Sequence, residues 1–228
     1  DEDTRINVKL KSGQETEINA PGPKVTHAQF EQLLSQIRRT TNDDIVIVAG
    51  SVPNSIPSDA YAQIAQITEK TGAQLVVDAE KDLVETVLPY RPLFIKPNKD
   101  ELEVMFNTTV KSDEDVIKYG KEILKKGAQS VIISLGGDGA IYVDQHQSIK
   151  AVNPQGHVVN TVGSGDSTVA GMVAGVSMGL NIDEAFQQAV ASGTATAFSE
   201  DLATRDAIEN IKSQVTISVL DGDRKSVV

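Results

Sequence analysis

The stretch Ile45-Val46-Ile47-Val48-Ala49-Gly50 is a continuous apolar run that ends at a glycine. Three similar runs follow at residues 75–78, 93–96 and 131–134, and helical patterns separate them. Strands that are buried on both faces show such runs, without polar alternation. When these strands alternate with helices, they form βαβ units and a parallel sheet. The sequence therefore predicts an α/β fold in which a mostly parallel sheet is flanked by helices.

The helical patterns around these runs begin and end at recognisable residues. Thr26 and Gln29 form a capping-box pattern ahead of apolar residues at helical spacing. Two more helices are predicted, from near Ser58 to Gly72 and from about Ser112 to Gly127. The remaining predicted elements are a hairpin at 139–144 and 147–152, helices at 164–179, 182–199 and 204–214, and an edge strand at 216–220.

Composition and charge narrow the function classes. The chain has 228 residues, of which 39% are hydrophobic, and this is enough for a large core. A net charge of −11 repels nucleic acid and anionic membranes, so we expect neither as a partner. No apolar run approaches the roughly 18 residues that a membrane-spanning helix needs. Cysteine is absent, which suits the cytoplasm. We therefore expect a cytoplasmic protein that acts on a small molecule.

The first residues have a different pattern. Apolar residues alternate with Arg5, Asn7 and Lys9, and a second extended run follows a glycine-containing turn. This predicts a β-hairpin, with the three polar side chains on one face, where they could hold an anion or simply face solvent. An isolated hairpin is marginally stable, so we expect its apolar face to be covered by a preceding N-terminal segment, by a partner subunit or by both, and we predict a homodimer formed through the lid. The predicted divisions are a partial lid at 1–22, an α/β domain at 23–220 and a tail at 221–228.

A glycine-rich turn lies directly before the helix predicted at 164–179. The turn reads Asn160-Thr161-Val162-Gly163-Ser164-Gly165-Asp166-Ser167. The first amides of a helix lack intrahelical acceptors and carry partial positive charge, so they favour anions. Gly163 and Gly165 allow a phosphate to approach the backbone closely, and Asp166 could take a proton from a hydroxyl group. The alternative is that Ser164 or Asp166 merely caps the helix.

Two further loops follow buried strands. The loop after the run at 131–134 reads Ser134-Leu135-Gly136-Gly137-Asp138-Gly139 and could hold a nucleotide phosphate or serve only as a hairpin turn. After the run at 93–96, Asn98 and Glu101 are three residues apart. Their oxygens would suit Mg²⁺ held mostly through water, and they would equally suit a capping box.

In this order, the motifs resemble those of the ribokinase-like sugar kinases, specifically the phosphofructokinase B branch. The resemblance extends over nearly the whole chain. It implies a ribokinase-like three-layer fold with a small β lid, and transfer of the γ-phosphoryl group of ATP to a hydroxymethyl group of a ketohexose phosphate. The chain is most similar to members that phosphorylate fructose 1-phosphate, and members that act on tagatose 6-phosphate are close to it. The matching segments are 4–8, 50–53, 96–101, 134–139 and 161–167.

The resemblance also implies roles for single residues. Asp166 matches the catalytic base, and the amides at Gly163, Ser164 and Gly165 match the anion hole. The residues implied for nucleotide binding are Ser134, Leu135, Gly136, Gly137, Asp138, Gly139, Gly165, Lys96 and Asn98, with Gly193 at the adenine pocket. The residues implied for Mg²⁺, mainly through water, are Asn98 and Glu101. Those implied for the sugar phosphate are Arg5, Asn7, Lys9, Ser51 and Asp166.

Family members are longer than this chain. The resemblance implies that the chain begins inside the lid, without the family's first strand and a glycine-rich substrate loop, so we expect these 228 residues alone to be inactive. Two alternatives remain open. One is a non-catalytic protein of this fold that binds a nucleotide or sugar phosphate. The other is a kinase for an uncharged acceptor, against which the two cations Arg5 and Lys9 argue.

Overall fold

The computed structural model describes residues 4–12, 14–20 and 22–222. The strands are β1 Asn7–Ser12, β2 Gln14–Asn19, β3 Ile45–Ala49, β4 Gln74–Asp78, β5 Phe94–Ile95, β6 Ser130–Ser134, β7 Ala140–Asp144, β8 Gln147–Val152 and β9 Thr216–Gly222. The helices are α1 His27–Ile37, α2 Ala60–Thr71, α3 Lys81–Val87, α4 Lys99–Phe106, α5 Asp113–Lys126, α6 Ser164–Ser177, α7 Ile182–Ala197 and α8 Arg205–Lys212.

The main sheet contains β3 to β9 in the order of the sequence. Neighbouring strands pair in parallel from β3 to β6 and antiparallel from β6 to β9. Because β8 is antiparallel to β7, it runs in the same direction as β6. Five of these strands, β3 to β6 and β8, therefore share one direction, and β7 and β9 oppose it. The predicted mostly parallel sheet is confirmed.

Alternate residues of the central strands face two separate cores. Val77 and Ile95 belong to the core under α1 to α5, whereas Val76 and Phe94 belong to the core under α6 and α7. All four side chains are fully buried. Burial on both faces, at about 1.5–3 kcal/mol for each large apolar side chain, explains why the strands are apolar runs without polar alternation. The result is the predicted three-layer architecture.

The boundaries of the elements differ from the predictions at several places. The capping box at Thr26 and Gln29 is formed, and α1 begins directly after it. Helix α3 was not predicted, because it is short and no side chain caps its start. Strand β9 continues to Gly222, two residues past its predicted end, and Asp221 pairs there with Lys121. Residues 223–228 of the predicted tail lie outside the described residues.

Glycines let α6 and α7 pack against each other at close range. A Cβ atom on Gly171 would lie 2.9 Å from the Ala189 Cα, and one on Gly175 would lie 2.8 Å from the Ala185 Cα. Both positions therefore need glycine, because neighbouring backbone occupies the space of a side chain. This contact sets the position of the first turn of α6 relative to the sheet.

The lid hairpin forms a two-stranded sheet apart from the main sheet. Strands β1 and β2 are antiparallel, with Val8 opposite Ile18. The side chains of residues 9–17 lie outside what the structure describes, so the predicted contact of the Lys9 side chain is untested. Among the described residues, no helix is both long and apolar enough to cross a membrane.

Candidate active site

A cavity of about 730 Å³ opens at the carboxyl ends of β5 and β6. It lies where ligands bind in open α/β sheets, and its size is that of ligand pockets in general. The predicted site residues that line it are Lys96, Asn98, Ser134, Leu135, Gly136, Gly137, Gly139, Ser164, Gly165 and Gly193. Four residues predicted for catalysis, the nucleotide or Mg²⁺ are not part of the lining, namely Glu101, Asp138, Gly163 and Asp166, and neither are Arg5, Asn7 and Ser51 of the predicted sugar site. The cavity therefore brings together three motifs that are distant in sequence.

The start of α6 is not capped by a side chain. Its N-cap residue is Gly163, which has a φ of 78° and makes no capping bond. The Ser164 hydroxyl instead donates to the carbonyl of Gly193 at 2.7 Å. The alternative that Ser164 or Asp166 merely caps this helix is therefore wrong. The Ser164 amide donates to the Thr161 carbonyl at 3.2 Å, so the next two amides of α6, those of Gly165 and Asp166, are the ones available for an anion.

A buried cation lies beside this helix start. Lys96 is only 7% exposed, and a Cβ atom on Gly165 would lie 3.3 Å from the Lys96 Nζ. A side chain at position 165 would therefore require the ammonium group to shift by a few tenths of an ångström from the first turn of α6. The ammonium and the helix amides both favour negative charge, so this corner of the cavity is suited to a phosphate.

Lys96 forms an ion pair with Asp78, whose Oδ1 lies 3.3 Å from the Lys96 Nζ. The pKa of Asp78 is raised overall, and burial is the largest cause. The charge and hydrogen bond of Lys96 lower it in part, and the charge of Asp166 raises it. In the sequence, Asp78 is distinguished only as the polar residue that ends the apolar run at 75–78. Its pairing with Lys96 depends on the register of β4 and β5, which the sequence does not reveal.

Asp166 lies in the first turn of α6 and is exposed. Its charge reaches Asp78, yet it does not line the cavity that Lys96 lines. It therefore lies at the edge of the cavity, open to solvent, rather than inside it. A carboxylate in this place is accessible to a hydroxyl group that approaches from outside the cavity.

The loop after β6 presents backbone to the cavity. Nothing lies within 4 Å of a Cβ atom built on Gly136 or Gly137, whereas one on Gly139 would lie 1.9 Å from the Ala151 carbonyl oxygen. The Asn153 Nδ2 donates to the Gly136 carbonyl at 3.1 Å. The segment after β8 therefore holds the loop, which is at once a hairpin turn and a wall of the cavity. Sequence reasoning missed Asn153.

Asn98 and Glu101 form the capping box of α4. The Glu101 amide donates to the Asn98 Oδ1 at 2.8 Å, and the Asn98 amide donates to the Glu101 Oε2 at 2.7 Å. A backbone bridge places Asn98 beside Ser134. No group of three or more acidic, His or Cys side chains could hold a metal ion within the described ranges. A Mg²⁺ ion that keeps most of its water ligands needs fewer protein ligands, and the Glu101 carboxylate near the cavity fits such an ion.

The lid contacts the main domain through Arg5, whose Nη1 donates to the Ser51 Oγ. The turn that carries Ser51 is itself fixed, because the Gly50 amide donates to the Asp78 carbonyl at 3.0 Å and the Tyr61 hydroxyl donates to the Gly50 carbonyl at 2.9 Å. Burial, and secondarily the charge of Asp78, raises the pKa of Tyr61 to about 12. Sequence reasoning missed Tyr61, which reads as an ordinary core residue.

Gly193 has a packing role as well as a place in the cavity wall. A Cβ atom on Gly193 would lie 2.2 Å from the Thr168 Oγ1 and 3.0 Å from the Ser164 carbonyl oxygen. The missing side chain therefore allows contact with α6. Val158, Val190 and Phe198 supply apolar surface to the same cavity, as a flat aromatic ring would require.

Comparison with curated proteins gives named relatives. A 1-phosphofructokinase of Bacillus subtilis is 42% identical over 218 residues, which cover 96% of this chain and 72% of the relative. A D-tagatose-1-phosphate kinase of Bacillus licheniformis is 34% identical over 218 residues, which cover 95% of this chain and 72% of the relative.

Solved structures agree with the fold. A crystal structure of a candidate phosphofructokinase from Staphylococcus aureus is 82% identical, with a TM-score of 0.89, and the match covers 98% of this chain and 73% of that one. Escherichia coli phosphofructokinase-2 with substrates and products is 28% identical, with a TM-score of 0.85, and the match covers 92% of this chain and 70% of that one. The model of the pfkB family carbohydrate kinases matches residues 1–208. This chain therefore belongs to the pfkB family of carbohydrate kinases, as its motifs predicted.

Proposed function

We propose that this kinase transfers the γ-phosphoryl group of ATP to the C6 hydroxyl of fructose 1-phosphate, giving fructose 1,6-bisphosphate and ADP. The observation that carries the proposal is the uncapped start of α6, which lies beside the buried Lys96 and next to the exposed Asp166. Two relatives named 1-phosphofructokinase, at 42% and 35% identity, support the choice of sugar. The absence of cysteine supports a cytoplasmic location.

The cavity suits a nucleoside triphosphate. Its apolar wall at Val158 and Phe198 would receive the adenine ring, and the open backbone of Gly136 and Gly137 would face the phosphate chain. The last phosphate would then meet the first amides of α6 and the Lys96 ammonium. Main-chain donors and a fixed cation stabilise the charge on a transferred phosphoryl group without any need to reorganise.

Asp166 would act as the general base. As the sugar oxygen bonds to the γ-phosphorus, the bond from that phosphorus to the β,γ-bridging oxygen breaks, and the hydroxyl proton passes to the Asp166 carboxylate. ADP leaves with the bridging oxygen. The exposed position of Asp166 supports this role, because a sugar can reach it from outside the cavity while the nucleotide occupies the cavity.

The residues present fit a Mg²⁺ ion held mainly through water. Glu101 spends one carboxylate oxygen on the Asn98 amide, so its other oxygen could accept a bond from a metal-bound water. When bound with ATP, Mg²⁺ neutralises charge on the phosphates. Asn98 and Glu101 would orient the hydrated ion, and the capping box would hold both side chains in place.

The sugar phosphate would bind between the lid and the Ser51 turn. Arg5 is exposed and already contacts Ser51, so a phosphate arriving there meets a guanidinium and a hydroxyl group. Asn7 and Lys9 are the further lid residues that we propose for contact with the sugar. Tagatose 1-phosphate, the C4 epimer of fructose 1-phosphate, is the second candidate substrate, because one relative is named D-tagatose-1-phosphate kinase. We place it ahead of tagatose 6-phosphate.

A coupled assay for ADP release tests this function. It should use the complete protein, including any residues that flank these 228 in its gene. With MgATP, we expect the highest kcat/KM for fructose 1-phosphate among fructose 1-phosphate, tagatose 1-phosphate, tagatose 6-phosphate, fructose and ribose. A preference for an unphosphorylated sugar would contradict the proposal, as would sugar-phosphate binding in calorimetry without turnover.

We further propose a homodimer formed through the lid. Ile6, Val8 and Ile18 lie on one face of the hairpin and are 61%, 44% and 55% exposed. Such an apolar face on a marginal two-stranded sheet is stabilised when a partner covers it. We expect the complete protein to have a dimer mass in light scattering at micromolar concentration.

Two matched substitutions test this interface. Val8→Lys should give the mass of a monomer, because it places a charge in the covered face. Val104→Lys changes an exposed valine outside the lid in the same way and should leave the dimer intact. A monomer mass for the unmodified protein, or an intact dimer with Val8→Lys, would contradict the lid interface.

A further inference from the structure

The Lys96 ammonium is held in a place that is unfavourable for an isolated cation. It is buried, and it lies next to Gly165 in the first turn of α6. Burial removes most of the water that would solvate the ammonium, and the positive end of the helix dipole repels it. Without a counter-charge, the side chain would gain by turning away from the helix, toward water.

Asp78 supplies that counter-charge because of the sheet register. Val77 of β4 is opposite Ile95 of the parallel neighbour β5, so the next residues of the two strands, Asp78 and Lys96, emerge side by side at the carboxyl edge. The Lys96 amide also donates to the Val77 carbonyl at 3.2 Å. The side chains of Asp78 and Lys96 are 17% and 8% exposed and lie 3.3 Å apart.

Asp78 does not border the cavity itself and can influence it through its partner Lys96. Lys96 lines the cavity, whereas Asp78 does not. The main chain of Asp78 is fixed as well, since its carbonyl accepts the amide hydrogen bond of Gly50. Asp78 is therefore a rigid partner behind the cation.

We propose that Asp78 is a positioning residue that holds the Lys96 ammonium under the first turn of α6, where it faces the phosphoryl group being transferred. This inference rests on the proposed kinase function. Removing the Asp78 charge leaves Lys96 without its partner, so the ammonium no longer has a fixed place beside the helix amides. A displacement of a catalytic contact by about 1 Å can cost on the order of 100-fold in rate.

A double-mutant cycle with Asp78→Asn and Lys96→Met in the complete protein tests the proposal. We expect Asp78→Asn to lower kcat/KM for MgATP by about 10- to 100-fold. We expect the double variant to match Lys96→Met alone, since Asp78 acts only through that side chain. Asp78→Glu keeps the charge and should retain more activity than Asp78→Asn, which also guards against a variant that folds poorly.

A remote ion pair provides the matched control. Asp113→Asn breaks the pair with Lys150, whose Nζ lies 2.7 Å from the Asp113 Oδ2, and should leave kcat/KM unchanged. Thermal unfolding of every variant separates lost stability from lost positioning. The proposal is overturned if the effects of Asp78→Asn and Lys96→Met multiply independently. It is equally overturned if Asp78→Asn lowers only the melting temperature, or changes only the Mg²⁺ concentration needed for activity.

The outcome for the unmodified protein separates the two proposals. If it shows no turnover, the kinase proposal fails, and the same cycle measured by calorimetry with a non-hydrolysable ATP analogue decides the role of Asp78. A loss of affinity in Asp78→Asn that disappears in the Lys96→Met background supports positioning. Equal losses in both backgrounds overturn it.

Discussion

Asp166→Asn should lower kcat for fructose 1-phosphate by about 10²- to 10⁴-fold, the usual contribution of a general base. The amide keeps the size of the carboxylate but cannot accept the hydroxyl proton. The amides of α6 and Lys96 are unaffected, so we expect the KM for MgATP to stay within a few-fold of its original value. Steady-state kinetics with both substrates measures this split between kcat and KM.

Asp206→Asn is a matched control for this substitution. Asp206 is also an exposed aspartate in the first turn of a helix, α8, and it does not line the cavity. Losing its charge should leave kcat unchanged. If Asp166→Asn retained kcat within about tenfold, the assignment of Asp166 as base would be wrong, because even modest general-base catalysis contributes about 100-fold.

Gly139→Ala should destabilise the protein by about 3 kcal/mol, through backbone strain and steric overlap together. Gly139 has a φ of 94°, and a Cβ atom there would lie 1.9 Å from the Ala151 carbonyl oxygen. The overlap is with backbone of the paired strand β8, which cannot move aside as a side chain end could. For a domain of this size we expect the melting temperature to fall by about 10 °C.

Gly137→Ala is the control in the same loop. A Cβ atom on Gly137 has nothing within 4 Å, and its φ is outside the left-handed region. Its melting temperature should change by no more than about 2 °C, since surface substitutions usually alter stability by less than about 0.5 kcal/mol. Equal melting temperatures for Gly139→Ala and the unmodified protein would show that the loop can rearrange, contrary to the expected clash.

The architecture was largely predictable because its signals are local. The apolar run at 131–134 is a strand because both of its faces meet helices, and a hairpin pattern follows it directly in sequence. The capping boxes at Thr26 and Asn98 lie within three residues of their partners, so the sequence contains both halves of each interaction. Helix α3 has no such signal and was missed.

The proposed site was predictable in part. The glycine-rich turn before α6 and the loop after β6 are contiguous motifs, and the structure brings both to one cavity. Asn153 and Tyr61 could not be found in this way, since their roles depend on hydrogen bonds to Gly136 and Gly50, which are distant in sequence. A motif indicates candidate site residues, but it does not show which distant residues fix their position by hydrogen bonds.

Periodicity and short motifs were thus sufficient for the layers, the sheet direction and the family, because each depends on residues that are near neighbours in the chain. The partnership of Asp78 with Lys96 was settled only in three dimensions, since it requires β4 and β5 to pair in one particular register. The same holds for the uncapped start of α6, because the Ser164 hydroxyl turned to the Gly193 carbonyl of α7 rather than to its own helix. Interactions between distant segments depend on packing, and packing is a property of the folded chain as a whole.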